Sequence, residues 1–131
     1  MGKILVIGAC GQIGTELTLK LREKFGNDNV IASDIREEAE IIKGTGPFII
    51  LDVNDALATK ELVKKENIKT IYLLAALLSA TGEKNPKHCW ELNIGSLRQI
   101  LDLGVEEKLK IFWPSSIAVF GKTTPRDNTP Q

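Results

Sequence analysis

Three glycines recur at intervals of three, Gly8, Gly11 and Gly14, in the stretch KILVIGACGQIGTELTLKL, where an apolar run meets a helical rhythm of leucines. Glycine at a strand-to-helix join costs backbone entropy, so the join must need something only glycine gives. Gly8 would permit a tight turn, Gly11 would let a diphosphate approach the backbone, and Gly14 would let the helix pack closely on the strand. The first N–H groups of that helix, around Gln12 and Ile13, would meet the anion with the positive end of the helix dipole. The spacing is G-x-x-G-x-x-G, one residue wider than the commoner G-x-G-x-x-G, and a purely structural glycine-rich turn is the alternative.

A carboxylate stands where such a loop would need one. Asp34 closes the second apolar run, twenty residues after Gly14. It would accept hydrogen bonds from the hydroxyls of an adenosine ribose and repel a 2′-phosphate, which favours NAD over NADP. Arg36, just past Ile35, complicates the choice because an arginine there could pair with the phosphate. The other reading of Asp34 is a turn former. Asp52 and Val53 follow the third run in FIILDVNDA. From there Asp52 could reach the adenine amino group, or it could only support a turn before a helix capped by Asn54 or Asp55.

Hydroxyl groups follow the fourth and fifth runs. Ser79 and Thr81 lie in AALLSATG, and Ser115 and Ser116 in PSSIAVFG. Each is a candidate for the reacting end of a cleft and each is also an ordinary turn residue. Asn93 falls on the same helical face as Trp90, Leu97, Ile100, Leu101 and Gly104. A buried amide there must be hydrogen-bonded; it could hold backbone or water behind a site, or serve only the packing.

Five strands are expected to position these groups: Lys3–Ile7, Val30–Ser33, Phe48–Leu51, Thr70–Leu74 and Lys110–Trp113. They read as continuous apolar runs, the pattern of strands covered on both faces of a parallel sheet. Helices are expected over Gln12–Phe25, Asp55–Glu66 and Pro86–Leu103, the last opened by an Asn85 cap and a first-turn proline. The polar connection Ile35–Pro47 leaves room only for a short helix. This succession predicts an α/β fold, a Rossmann-type doubly wound parallel sheet in order 3-2-1-4-5, with a ligand crevice between strands one and four.

The 131 residues suffice for one domain that buries about two-thirds of its unfolded surface. Charge balances at 17 basic against 17 acidic residues without long blocks, unlike the basic footprint of a nucleic-acid binder. Cys10 and Cys89 are too few for a disulfide framework and have no partner histidines, so a reducing, cytoplasmic setting without a metal site is expected. No run approaches the ~18 apolar residues of a membrane span, and with the first strand starting at once no signal peptide is expected. His88, the sole histidine, reads as solvated, as do Lys60, Lys64, Lys65 and Lys69, whereas Phe112 and Trp113 read as core and crevice wall. The tail GKTTPRDNTPQ has a loop composition, so residues 1–131 are expected to be the N-terminal portion of a longer nucleotide-binding domain.

In order and spacing, GACGQIG, Asp34, LLAALLS, NIGS and PSSIAVFG resemble the extended short-chain dehydrogenase/reductase superfamily. AALLSATGEKNP and FWPSSIAVFGKTTPRDNTPQ look most like its L-threonine 3-dehydrogenase branch. The resemblance implies that Gly8, Gly11 and Gly14 cradle the pyrophosphate of NAD, that Asp34 holds the adenosine ribose, and that Leu74, Ala75 and Ala76 pass along the cofactor. It also implies Ser116 as the catalytic serine, Ser79 as a substrate-side serine and Asn93 as the helix asparagine near the nicotinamide. The family's general base is a tyrosine followed four positions later by lysine. Tyr72, followed at that distance by Ala76, does not match it, so the pair would lie beyond Gln131 and this stretch alone should not turn over. A whole protein of this kind would oxidise L-threonine at C3 to 2-amino-3-oxobutanoate and would pair as a homodimer through long helices, one starting at Pro86. The rivals are a sugar-nucleotide epimerase or dehydratase on the same scaffold, and a non-catalytic nucleotide-binding module if the chain is complete.

Overall fold

Successive residues of the first strand, β1 (Lys3–Ile7), go to opposite sides: Leu5 and Ile7 enter one buried cluster, Ile4 and Val6 another. A strand so placed must be apolar throughout, which is why its sequence shows no alternation. The computed structural model describes residues 2–76, 83–115, 122, 123, 125 and 127. Four further strands, β2 (Val30–Asp34), β3 (Phe48–Ile50), β4 (Ile68–Leu73) and β5 (Lys110–Phe112), join β1 in parallel, in the order β3-β2-β1-β4-β5. The expected doubly wound topology is therefore the observed one. Ile7 registers with Ser33 on one side and Leu73 on the other, so the strands end level where the order reverses.

Helix α1 (Gln12–Phe25) covers one face with a cluster built on Ile4, Val6, Val30, Ala32 and Ile42. Helices α2 (Ala56–Lys65) and α4 (Ser96–Glu107) cover the other, where Leu62, Val63, Ile100 and Leu103 meet Leu5, Ile7, Ile31 and Ile71. Ion pairs of Lys60 with Glu106 and Lys64 with Glu107 join α2 to α4, so these two lysines are not merely solvated. Lys69 lies in β4, which starts at Ile68, two residues before the expected Thr70. The charged side chain hides the strand in sequence, but Lys3 pairs with Ile68 and its N–H donates to Asn67 O.

The helix expected over Pro86–Leu103 is three pieces: α3 (Pro86–Trp90), a π-helical turn over Glu91–Gly95, and α4, which runs on to Glu107. A π turn inserts one residue, rotating the helix before it by about 100° relative to the helix after it. The single face read from Trp90 to Gly104 is thereby broken. Ser96, Ile100, Leu103 and Gly104 are buried, but Trp90, ahead of the turn, is 68% exposed; Leu101, within α4, is 48% exposed for a different reason, because it flanks the buried stripe. Phe112 and Trp113 are also more open than a core assignment requires, because no described element covers that side of β5; Phe112 stacks only at a tilt on Tyr72.

The polar connection from β2 to β3 forms turns rather than a helix, and a buried arginine on α1 holds it. The Arg22 guanidinium donates to the carbonyls of Val30, Ile42 and Pro47 and to Thr45 Oγ1. A Cβ on Gly46 would lie 2.6 Å from Arg22 Nε and 2.8 Å from Asn27 O, so only glycine fits against the cation. An Arg22→Met substitution removes these charged donors while Pro47 O keeps the Ala32 N–H and Ile42 O keeps Thr45; it should cost about 1–3 kcal/mol, read as a lower urea midpoint with an unchanged m-value.

Candidate functional site

At the topological reversal the chain after β1 leaves the sheet through the glycine loop. The N–H groups of Gly8 and Ala9 both donate to Ser33 O at 2.9 Å, which ties the loop to β2. Gly8 has φ of +88°, and a Cβ there would sit 2.6 Å from Ala75 N, so both backbone angle and space demand glycine. Gly14 is equally confined: a Cβ would collide with Gly8 O and lie 2.8 Å from Ala9 Cα. Gly11 is different. It caps α1 at an ordinary φ of −77°, and the nearest described atom to a Cβ would be Gly8 O at 3.5 Å.

Helix α1 begins without a side-chain cap and without an acidic residue in its first turn. Among the described residues, the N–H groups of Gln12, Ile13 and Gly14 have no acceptor. Unsatisfied first-turn donors with the positive end of the dipole behind them suit an anion.

The loop opens on a cleft of about 740 Å³ at the carboxyl ends of the strands. Gly8, Gly11, Gln12, Ile13 and Gly14 form its floor. Asp34, Ile35 and Arg36 follow β2 on one side, Asp52 and Val53 follow β3, and Leu74, Ala75 and Ala76 follow β4. Thirteen sequence-predicted residues from four separate segments thus meet in one cavity.

Asp34 is 4% exposed. Its Oδ2 accepts from the Cys10 N–H at 3.0 Å, and its Oδ1 from the N–H and Nε of Arg36, both at 3.1 Å. Burial pushes the carboxyl pKa up, but the donors from Arg36 and Cys10 together hold it below the ordinary aspartate value. Burial raises the Cys10 thiol, whose Sγ donates to Glu37 O. Asp52 Oδ1 accepts from Asn54 N–H at 2.9 Å and Asp55 caps α2 through Ala58 N–H. The local turn role of Asp52 is therefore present, on a residue that also lines the cleft.

Asn93 stands apart. It lies half-buried in the π turn, its Nδ2 donates to Cys89 Sγ at 3.3 Å, and it is not among the described residues lining the cleft. Ser115 is exposed, and Ser79, Thr81 and Ser116 lie outside the described residues. Sequence reasoning missed His88, Leu92 and Pro114, which close the far wall. The four-residue spacing of His88 and Leu92 was the available signal, one face of a helix passing the crevice. Among the described residues no three His, Cys, Asp or Glu side chains cluster as metal ligands would, and no helix is long and apolar enough to cross a membrane.

The depressed pKa of Asp34 carries a sign. Stability drawn from its ionised form is present above the unfolded aspartate value and is lost as pH falls through the folded one. The stability gap between wild type and Asp34→Asn should therefore narrow as pH drops through about 4, measured by urea unfolding at successive pH values.

The profile of the NAD dependent epimerase/dehydratase family matches residues 4–131. An uncharacterized epimerase/dehydratase of Staphylococcus saprophyticus is 53% identical over 133 residues, taking in 100% of this chain and 41% of that protein. The L-threonine dehydrogenase of Clostridium difficile superposes with a TM-score of 0.92 at 47% identity, over 100% of this chain and 41% of that one. The holo form of a GalE-like L-threonine dehydrogenase from Cupriavidus necator gives 0.90 at 46% identity, over 98% and 42%. The chain thus spans about 41% of the length of the curated relatives it matches. Because the family match runs from β1 through the cleft-lining segments, the chain belongs to the NAD dependent epimerase/dehydratase family, within the extended short-chain dehydrogenase/reductases.

Proposed function

We propose that this chain forms the NAD-binding part of an oxidoreductase which, as a whole protein, oxidises L-threonine at C3 to 2-amino-3-oxobutanoate. The observation that carries the cofactor half is Gly11. The protein's own backbone angle and packing leave room for a side chain there, so its glycine is explained by something lying against the loop from the cleft. A diphosphate on the N–H groups of Gln12, Ile13 and Gly14 meets that requirement.

In this reading Asp34 accepts from the adenosine ribose, Asp52 and Val53 border the adenine, and Leu74, Ala75 and Ala76 line the path toward the nicotinamide. NAD held there supplies a hydride acceptor for a secondary alcohol. Ser116 donates a hydrogen bond to the reacting oxygen as charge develops on it, Ser79 contacts the substrate, and Asn93 steadies the nicotinamide end. These three roles rest on the family resemblance. Tyr72 is not the general base: it belongs to β4, with its ring 5.5 Å from that of Phe112. A tyrosine–lysine pair elsewhere in the whole protein takes that part.

The threonine half is supported by solved relatives at 46% and 47% identity that are themselves L-threonine dehydrogenases. A homodimer of the whole protein is supported by Trp90, Leu101 and Val105, which leave apolar surface on the outer side of α3 and α4.

Two outcomes test this. Gly11→Ala should raise the Kd for NAD by about tenfold or more with the thermal midpoint nearly unchanged, whereas Gly14→Ala should lower the midpoint; NAD binding at wild-type strength in Gly11→Ala would defeat the cradle. The whole protein incubated with NAD should form NADH with L-threonine and none with UDP-sugars. Interconversion of a UDP-sugar without net NADH would replace the substrate assignment with the epimerase reading.

A further inference from the structure

The peptide joining Val53 to Asn54 is held at both ends. Its carbonyl accepts from Gln99 Nε2 at 2.9 Å, and its N–H donates to Asp52 Oδ1, also at 2.9 Å. The bond is trans, so C=O and N–H point in opposite directions and turn only together. Gln99 comes from α4, 46 residues along the chain, and stands beside the buried Ile100. Val53 is 3% exposed, so without Gln99 its carbonyl would be left short of a partner and the peptide free to rotate. The Asp52 backbone is set separately, its O accepting from the Asp55 N–H at 3.0 Å. The Asp52 carboxylate is therefore the part of the turn that depends on the Val53–Asn54 plane.

Asp52 lines the cleft, with Oδ1 engaged by Asn54 and Oδ2 taking no hydrogen bond among the described residues. Gln99 is not among the described residues that line the cleft, so it acts on a ligand only through the peptide. We infer that Gln99 is a positioning residue for adenine recognition. Through the Val53–Asn54 peptide it fixes the Asp52 side chain, so that the second carboxylate oxygen meets the exocyclic amino group of the base. This rests on the reading of the cleft as a dinucleotide site with Asp52 bordering the adenine.

The test is calorimetric titration of the whole protein with NAD and with its hypoxanthine analogue, in which a carbonyl oxygen replaces the amino group, for wild type, Gln99→Glu and Gln99→Met. Glutamate keeps the shape of glutamine but, ionised, has no proton to give a carbonyl; methionine keeps the length without a donor. Wild type should bind NAD about tenfold more tightly than the analogue. Both variants should cut that preference to about threefold or less. In an Asp52→Ala background, Gln99→Met should change it no further. A preference that survives in both variants, even with a lowered thermal midpoint, would reduce Gln99 to a structural tie and overturn the inference while leaving the adenine assignment intact. No preference in wild type would overturn the adenine role of Asp52 together with the inference, and failure of wild type to bind either nucleotide would overturn the reading of the cleft as well.

Discussion

The glycine loop is hung from the end of β2 by three consecutive backbone N–H groups. Those of Gly8 and Ala9 converge on the Ser33 carbonyl, and that of Cys10 reaches the Asp34 carboxylate. This suspension sets everything downstream. It turns the chain sharply enough to require the positive φ of Gly8, and it brings α1 so close to the loop that Gly14 cannot carry a side chain. It also places the uncapped start of α1 one strand away from the buried carboxylate. Anion donors and the acidic group are thus positioned by one short hydrogen-bonded unit, and an error in it would misplace both.

Much of this was legible in the residues because its chemistry is local. Glycine spacing after an apolar run, and a carboxylate at the end of the next run, are constraints on backbone space and charge that sequence states directly. The strand order comes from continuous apolar runs joined by right-handed crossovers, which leave few arrangements. The features that escaped depend on contacts between distant segments. Arg22 reads as a surface charge on a helix, and only the turns between β2 and β3 bury it. Lys69 masks the start of β4, although parallel pairing with β1 carries the strand through it.

The π turn at Glu91–Gly95 is the clearest case of a helical pattern that the backbone rotates away. A strict 3.6-residue period puts Trp90 and Asn93 with Ile100 and Gly104, and one inserted residue ends that alignment. The same turn lies between His88, four residues ahead of Leu92, and the buried stripe of α4, so the segment faces the crevice first and the sheet afterwards. Gln99, one turn into α4, donates to Val53 O at 2.9 Å and ties the loop after β3 to this helix. The far wall and the side of the cavity formed by the loop after β3 are in this way braced by one irregular helical unit.

The buried guanidinium of Arg22 has a consequence for how freely the chain can change. A crossover between parallel strands commonly relies on a packed helix, whose whole inner face must stay apolar. Here one cation gathers the carbonyls of the β2–β3 crossover, so structural duty falls on Ile42, Thr45, Gly46 and Pro47. The exposed positions beside them, Glu40, Ile41 and Lys43, bear almost none of it. Side chains at those exposed positions can therefore be exchanged while the cleft beside them keeps its shape.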